Sequence, residues 1–161
     1  MNPHPQALAA IALGGSVGTA DDGLEAEVLA VPDVNALAAL PPGAASGRIV
    51  YFSGHTERTR DGSGYGRAVR ARSEGASAAA AIGAAGVVIR SISTSSNRVP
   101  HTGTLVYNIA NPRIPAVAIS NPDADLLERQ LAEHARAPAH ARDGTRPAAD
   151  ALRQRDRRDP G

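Results

Sequence analysis

The sequence predicts an α+β domain of four to six short strands and two main helices, and three observations carry that expectation. Short β-branched or aromatic runs, Glu25–Val31 (EAEVLAV), Arg48–Phe52 (RIVYF) and Ile114–Ile119 (IPAVAI), have the length and composition of strands. The arginine- and alanine-rich stretch Tyr65–Ala85 has a shallow apolar stripe through Val69, Ala76, Ala80 and Ile82, and the buried-strand run Val87–Ile92 follows at once. A second helix opens at Asn121-Pro122-Asp123, with Pro122 at its first position and Leu126, Leu127 and Leu131 on one face.

Along the chain, Ala7–Leu13 is an apolar run with no Lys or Arg before it, and the next charges are Asp21 and Asp22, so a signal peptide is poorly supported. No stretch reaches the roughly 20 apolar residues of a membrane span. Asp33 is expected to cap a short helix, Val34–Leu40, which stops at Pro41-Pro42. Gly54–Gly66 (GHTERTRDGSGYG) is polar and glycine-rich, a long loop of the kind that often carries function. Gly86 ends the arginine–alanine helix. Ser93–Gly103 is irregular, and Thr104–Asn108 is expected to be an edge strand.

Composition excludes several functions. Apolar residues make up 42% of 161, but with one Phe, one Met, three Tyr and no Trp the core must rest on Val, Ile, Leu and Ala. Without cysteine there is no disulfide scaffold, thiolate zinc site or cysteine nucleophile. All 17 basic residues are arginine, and against 16 acids they leave a net charge of +1, so nothing global points to nucleic acid or a membrane. The charge is uneven. Residues 136–161 hold seven arginines and four aspartates, with Leu152 the only large apolar side chain. Such a tail cannot offset an ordering cost of about 1–2 kcal/mol per residue and is expected to be disordered.

Five histidines, His4, His55, His101, His134 and His140, show no His-x-x-x-His, His-x-x-Glu-His or His-x-Asp spacing, so a zinc site is not supported. His55-Thr56-Glu57 matches half of a zinc-deaminase signature whose cysteines are missing. Gly62-Ser63-Gly64-Tyr65-Gly66 precedes a helix and could cradle an anion, but its spacing is not that of a dinucleotide turn and no Walker lysine follows. Ser63, in Gly62-Ser63-Gly64, has too short a context for a nucleophile elbow. His101, in the turn-rich Val99-Pro100-His101-Thr102-Gly103 beside Arg98, is the best single site candidate.

Several ordered strings then converge: Arg58-Thr59-Arg60-Asp61-Gly62-Ser63-Gly64-Tyr65-Gly66, Val69-Arg70-Ala71-Arg72, Gly86-Val87-Val88-Ile89-Arg90-Ser91-Ile92, Pro100-His101-Thr102-Gly103, and Ile114-Pro115-Ala116 with Ser120-Asn121-Pro122-Asp123-Ala124. Together they resemble the protease-associated (PA) domain inserted in M28-family zinc peptidases, nearest the bacterial relatives of carboxypeptidase Q. Ala12–Val17 resembles the strand entry into that insert. The resemblance spans about residues 10–133 and departs from the family at Ser95, Asn97 and Gly54-His55-Thr56.

The resemblance implies a small β-barrel or sandwich flanked by two main helices. It divides the chain into a lead-in at 1–15, left from the host-domain junction, a PA domain at 16–135 and a tail at 136–161. It implies a non-catalytic domain that modulates substrate access or binding in the parent metallopeptidase, with a catalytic domain in cis and a peptide substrate as partners. The two zinc ions belong to that catalytic domain, and no cofactor is expected in this chain. Contact candidates are Arg98, His101, Thr102, Asp61, Ser63 and Tyr65. Such peptidases are typically periplasmic or secreted. The tail is also expected to be a shifted reading frame, since one codon choice for Leu152–Gly161, read one base later, gives Ser-Gly-Asn-Val-Ile-Ala-Glu-Ile-Pro, the strand the family has there. Two alternatives are a free-standing peptide-binding module and a hydrolase pairing His101 with Asp61 or Glu57.

Overall fold

Three central strands are buried on both faces, as covered parallel strands are. The structure, a computed structural model, describes residues 6–136. Its strands are β1 Ala10–Ala12, β2 Val28–Val31, β3 Ile49–Phe52, β4 Gly86–Arg90 and β5 Ala116–Ile119; its helices are α1 Val34–Ala38, α2 Ser63–Ser73, α3 Gly75–Ala81 and α4 Asn121–Arg136. The strands make one sheet in the order β1-β5-β4-β3-β2, parallel from β2 to β5, with β1 antiparallel to β5. The α+β class is borne out. In place of a closed barrel, the sheet is open, with edges at β1 and β2. Helices bridge β2 to β3 and β3 to β4, as parallel neighbours need a crossover connection.

Period-2 alternation assigns each face. Val50 and Phe52 of β3, Val87 and Ile89 of β4, and Ala116 and Ala118 of β5 join the core that contains Leu37 of α1 and Ala76, Ala79 and Ala80 of α3. Ile49, Tyr51, Val88, Val117 and Ile119 point to the other face, against Ala124 and Leu127 of α4. The sheet therefore lies between two helical layers. β1, inside the 1–15 segment, is short and alanine-rich, and it adds a strand at the β5 edge.

Three elements differ from expectation. The arginine–alanine helix is two helices that meet at Glu74, because Gly75 faces the buried Phe52 ring, and a Cβ there would stand 2.8 Å from Cε2. α2 also begins earlier, at Ser63, with Gly62 in the left-handed region (φ 74°) as its N-cap. Thr104–Asn108 is no strand; it has one bridge, Thr104 to Gly14, and Tyr107 Oη fastens it by accepting from Val17 N and donating to Ile114 O. The Asp33 cap forms as expected, its carboxylate accepting from Ala36 N at 2.7 Å. The expected tail disorder, the frame-shifted strand, His4 and His140 fall on residues 1–5 and 137–161, outside the described residues. No described helix is long and apolar enough to cross a membrane.

Gly75→Val is expected to destabilise the domain by about 1–3 kcal/mol, because two methyl groups must enter a filled site against Phe52. Urea denaturation checks it; an unchanged midpoint would refute the close packing.

Candidate functional site

A polar cleft of about 570 Å³ opens between the loop before α2 and the turn that carries His101. Thr56, Tyr65, Arg72, Thr94, His101 and Thr102 are among its lining residues. Parallel topology makes the cleft. β3 and β4 are hydrogen-bonded neighbours, so the segments leaving their C-terminal ends, 53–62 and 91–103, emerge side by side.

The glycine-rich loop spends its backbone donors on itself. Ser63 N donates to Asp61 Oδ1 at 3.1 Å and Gly64 N to Thr59 Oγ1 at 3.3 Å, so the start of α2 is capped from within. Hydrogen bonds from the Ser63 backbone N–H first, then from the Ser63 and Thr59 hydroxyls, hold the exposed Asp61 carboxyl below its ordinary value. Gly64 is required there, since a Cβ would meet Glu57 O at 2.2 Å. The anion cradle considered for this loop is thus closed by Thr59 and Asp61.

Tyr65 stands on the first turn of α2, 44% exposed, and Arg72 lies two turns on. Arg72 Nη2 donates to Tyr65 Oη at 2.8 Å, and the guanidinium lies 5.7 Å from the ring centroid. Opposite, the Pro100–Gly103 turn is pinned by Ser91, whose hydroxyl accepts from His101 N and donates to Ile119 O, each at 2.7 Å. Of the expected residues, Tyr65, His101 and Thr102 meet in the cleft, with Asp61 and Ser63 beside Gly62 at its edge. Among the described residues no carboxylate bridges to His101, so the base–acid pair of a free-standing hydrolase is not assembled.

Arg98 lies elsewhere. Its Nε donates to both oxygens of Asp123, at 2.8 and 3.1 Å, and its Nη2 to Ala7 O at 2.7 Å. Asp123 also accepts from Ala9 N and from the Ser120 hydroxyl, both at 2.8 Å. Arg98 therefore ties the segment leading into β1 to the first turn of α4.

Sequence reasoning missed a second polar cluster on the α4 side of the sheet. Arg90, at the end of β4, donates to Asp125 and, at 2.9 Å, to Glu128; Tyr51 of β3 donates to the same Glu128 oxygen at 2.8 Å. Burial first, then the Glu128 hydrogen bond, push the Tyr51 phenol far above its ordinary range. Burial works against the Arg90 charge, yet Asp125 and the other neighbours outweigh it and raise its pKa. His55 stands 3.9 Å from Glu128. His55, Asp125 and Glu128 could offer a metal three ligand atoms within 4.8 Å of one another. Arg90 already supplies the positive charge to both carboxylates, and a second cation beside a buried guanidinium is disfavoured. The cluster does not fit a zinc site. It is a lock between α4 and the sheet. The signal was available in part, since a strand residue as polar as Arg90 between Ile89 and Ser91 needs a buried partner.

No family profile matches the chain. Carboxypeptidase Q of Bos taurus is 33% identical over 151 residues, covering 94% of this chain and 30% of that protein. The crystal structure of a peptidase M28 precursor from Shewanella amazonensis is 44% identical with a TM-score of 0.79, covering 83% of this chain and 30% of that one. An aminopeptidase of Aneurinibacillus, 19% identical with a TM-score of 0.50 over 77% of this chain and 25% of its own, shares the fold alone. The chain spans about three tenths of the length of the relatives it matches. By sequence and fold the chain is similar to a part of carboxypeptidase Q and of a peptidase M28 precursor, a likeness that fits a protease-associated-domain fragment of an M28 peptidase.

Proposed function

We propose that this chain is a non-catalytic accessory domain that modulates substrate access or binding for an M28 catalytic domain joined to it in cis. The observation that carries the reading is the polar cleft, lined by Tyr65, His101 and Thr102 and lacking an assembled acid–base pair among the described residues. The match to about three tenths of each relative supports it, because most of each peptidase lies outside the matched part. In this reading residues 16–135 are the accessory unit, and 1–15 and 136–161 are its junctions. The cleft, with Asp61 and Ser63 at its rim, contacts the peptide or the catalytic domain, while Arg98 holds the entry segment in place. The zinc ions of the parent enzyme lie in the catalytic domain, and peptide hydrolysis is that domain's work.

A chimera tests this. Residues 6–136, which include β1 and its contacts, replace the matching segment of the Shewanella amazonensis peptidase, and the chimera is assayed with and without His101→Ala in the graft. The substitution is expected to raise KM about three- to tenfold with little change in kcat, as loss of a contact made equally in ground and transition states does. Unchanged KM and kcat would overturn the contact reading. Peptide hydrolysis by the 161-residue chain alone, abolished by His101→Ala and insensitive to chelators, would overturn the non-catalytic one.

A further inference from the structure

We infer that Arg72 anchors a carboxylate-binding subsite in the cleft, one that takes the carboxylate of a peptide. The inference rests on the reading of the cleft as a peptide-contact site and names the group recognised there.

Arg48, Arg70, Arg90 and Arg98 each pair with a carboxylate, whereas Arg72 takes part in no ion pair among the described residues. Among the described residues its one hydrogen bond goes to the Tyr65 hydroxyl, and its Nε is buried without a partner. The guanidinium is held by packing instead. The Tyr65 ring flanks it, and Gly103 lies so close that a Cβ there would stand 2.7 Å from both Cζ and Nη1. A planar fork fixed by an aromatic ring and a backbone, with its charge uncompensated, is preorganised for a planar acceptor.

The rest of the lining agrees. Arg58 adds a second positive charge to a lining whose one acid is Glu57, with Asp61 outside it at the rim, and Thr56, Thr94 and Thr102 bring hydroxyl donors. Thr56 Oγ1 is, like Arg72 Nε, buried without a partner. The same geometry disfavours a phosphate, because Thr59 and Asp61 already take the free N–H groups at the start of α2 and the Asp61 carboxylate would repel a dianion. A monoanionic, planar carboxylate is what remains.

A carboxylate could come from a peptide C-terminus or from an acidic side chain, and three probes separate these. The full chain, labelled with 15N, is titrated with N-acetyl-alanyl-alanine, with its C-terminal amide, and with N-acetyl-glutamic acid α-amide. At least one acid probe is expected to shift the amides of Tyr65, His101, Thr102 and Gly103 and to bind about tenfold more tightly than the alanyl-alanine amide. If only the first acid does so, the group is a C-terminus; if only the glutamyl probe does so, it is a side chain. Arg72→Gln and Gly103→Ala are each expected to bring acid binding down to the amide level. Gly103→Ala keeps the charge but pushes the flexible end of Arg72 aside, so it reports even if Arg72→Gln fails to fold. Equal binding of acids and amide in the cleft, or full acid binding by Gly103→Ala, would overturn the inference and leave the peptide-contact reading standing. No shift in the cleft with any probe would overturn both.

Discussion

Arg90→Leu is expected to cost about 3 kcal/mol, the largest loss for a single side chain outside the hydrophobic core. Arg90 is 7% exposed and is the one cation shared by Asp125 and Glu128, while Tyr51 donates to Glu128 from beneath. Removing one partner of a buried ion pair costs about 3–5 kcal/mol, because the opposite charge is left without compensation. The lower end applies here, since Asp125 is about half exposed and can turn to water. Leucine also restores part of the apolar contact made by the arginine stem. Urea denaturation of the variant gives the number, and a loss under about 1 kcal/mol would mean the cluster is not the lock between α4 and the sheet. Glu128→Gln should cost less, because the amide can still accept from Tyr51.

The second large effect falls on Asp123. Its carboxylate is 3% exposed and accepts from Ala9 N, the Ser120 hydroxyl and Arg98. Asp123→Ala is expected to cost about 2–3 kcal/mol, since the half-buried Ala9 N–H and the buried Ser120 hydroxyl lose their acceptor while Arg98, largely exposed, returns to water. Burial alone would raise the Asp123 pKa, but the Ser120 and Ala9 hydrogen bonds and the Arg98 charge outweigh it and hold it below the ordinary 3.8. A depressed carboxyl contributes stability that is complete above the unfolded-state value and is lost as pH falls through the folded one. Stability should therefore decline below about pH 4, and Asp123→Asn should flatten that decline while lowering the plateau above it. A steeper acid decline in Asp123→Asn than in the parent would contradict the assignment.

Much of the strand framework was legible locally. Ile49 to Phe52, Val87 to Ile89 and Val117 to Ile119 are runs that suit strands covered on both faces, and Asp33 sits where a helix needs a cap. Boundaries were weaker, because α2, α3 and their junction are written in alanine, arginine and glycine, whose propensity pattern gives no sign of a ring pressing on Gly75. β1 was obscured for a similar reason. Ala10, Ile11 and Ala12 have little strand character, and only pairing with β5 makes them one.

The candidate site divides along the same line. The residue strings at 58–66 and 100–103 marked two loops and, through their likeness to a family, the kind of protein, so His101, Thr102 and Tyr65 could be named in advance. That the loops face each other, that Arg98 instead clamps Asp123, and that Arg72 lies between Tyr65 and Gly103 follow from β3, β4 and β5 pairing in parallel, which brings the segments after their ends together. Sequence by itself determined the central strands and the Asp33-capped helix, because hydrophobic period and caps act over a few residues. Only the tertiary structure decided which polar groups meet, because Arg90 with Glu128 or Arg98 with Asp123 requires the sheet to bring distant segments together, and no local pattern records that energy.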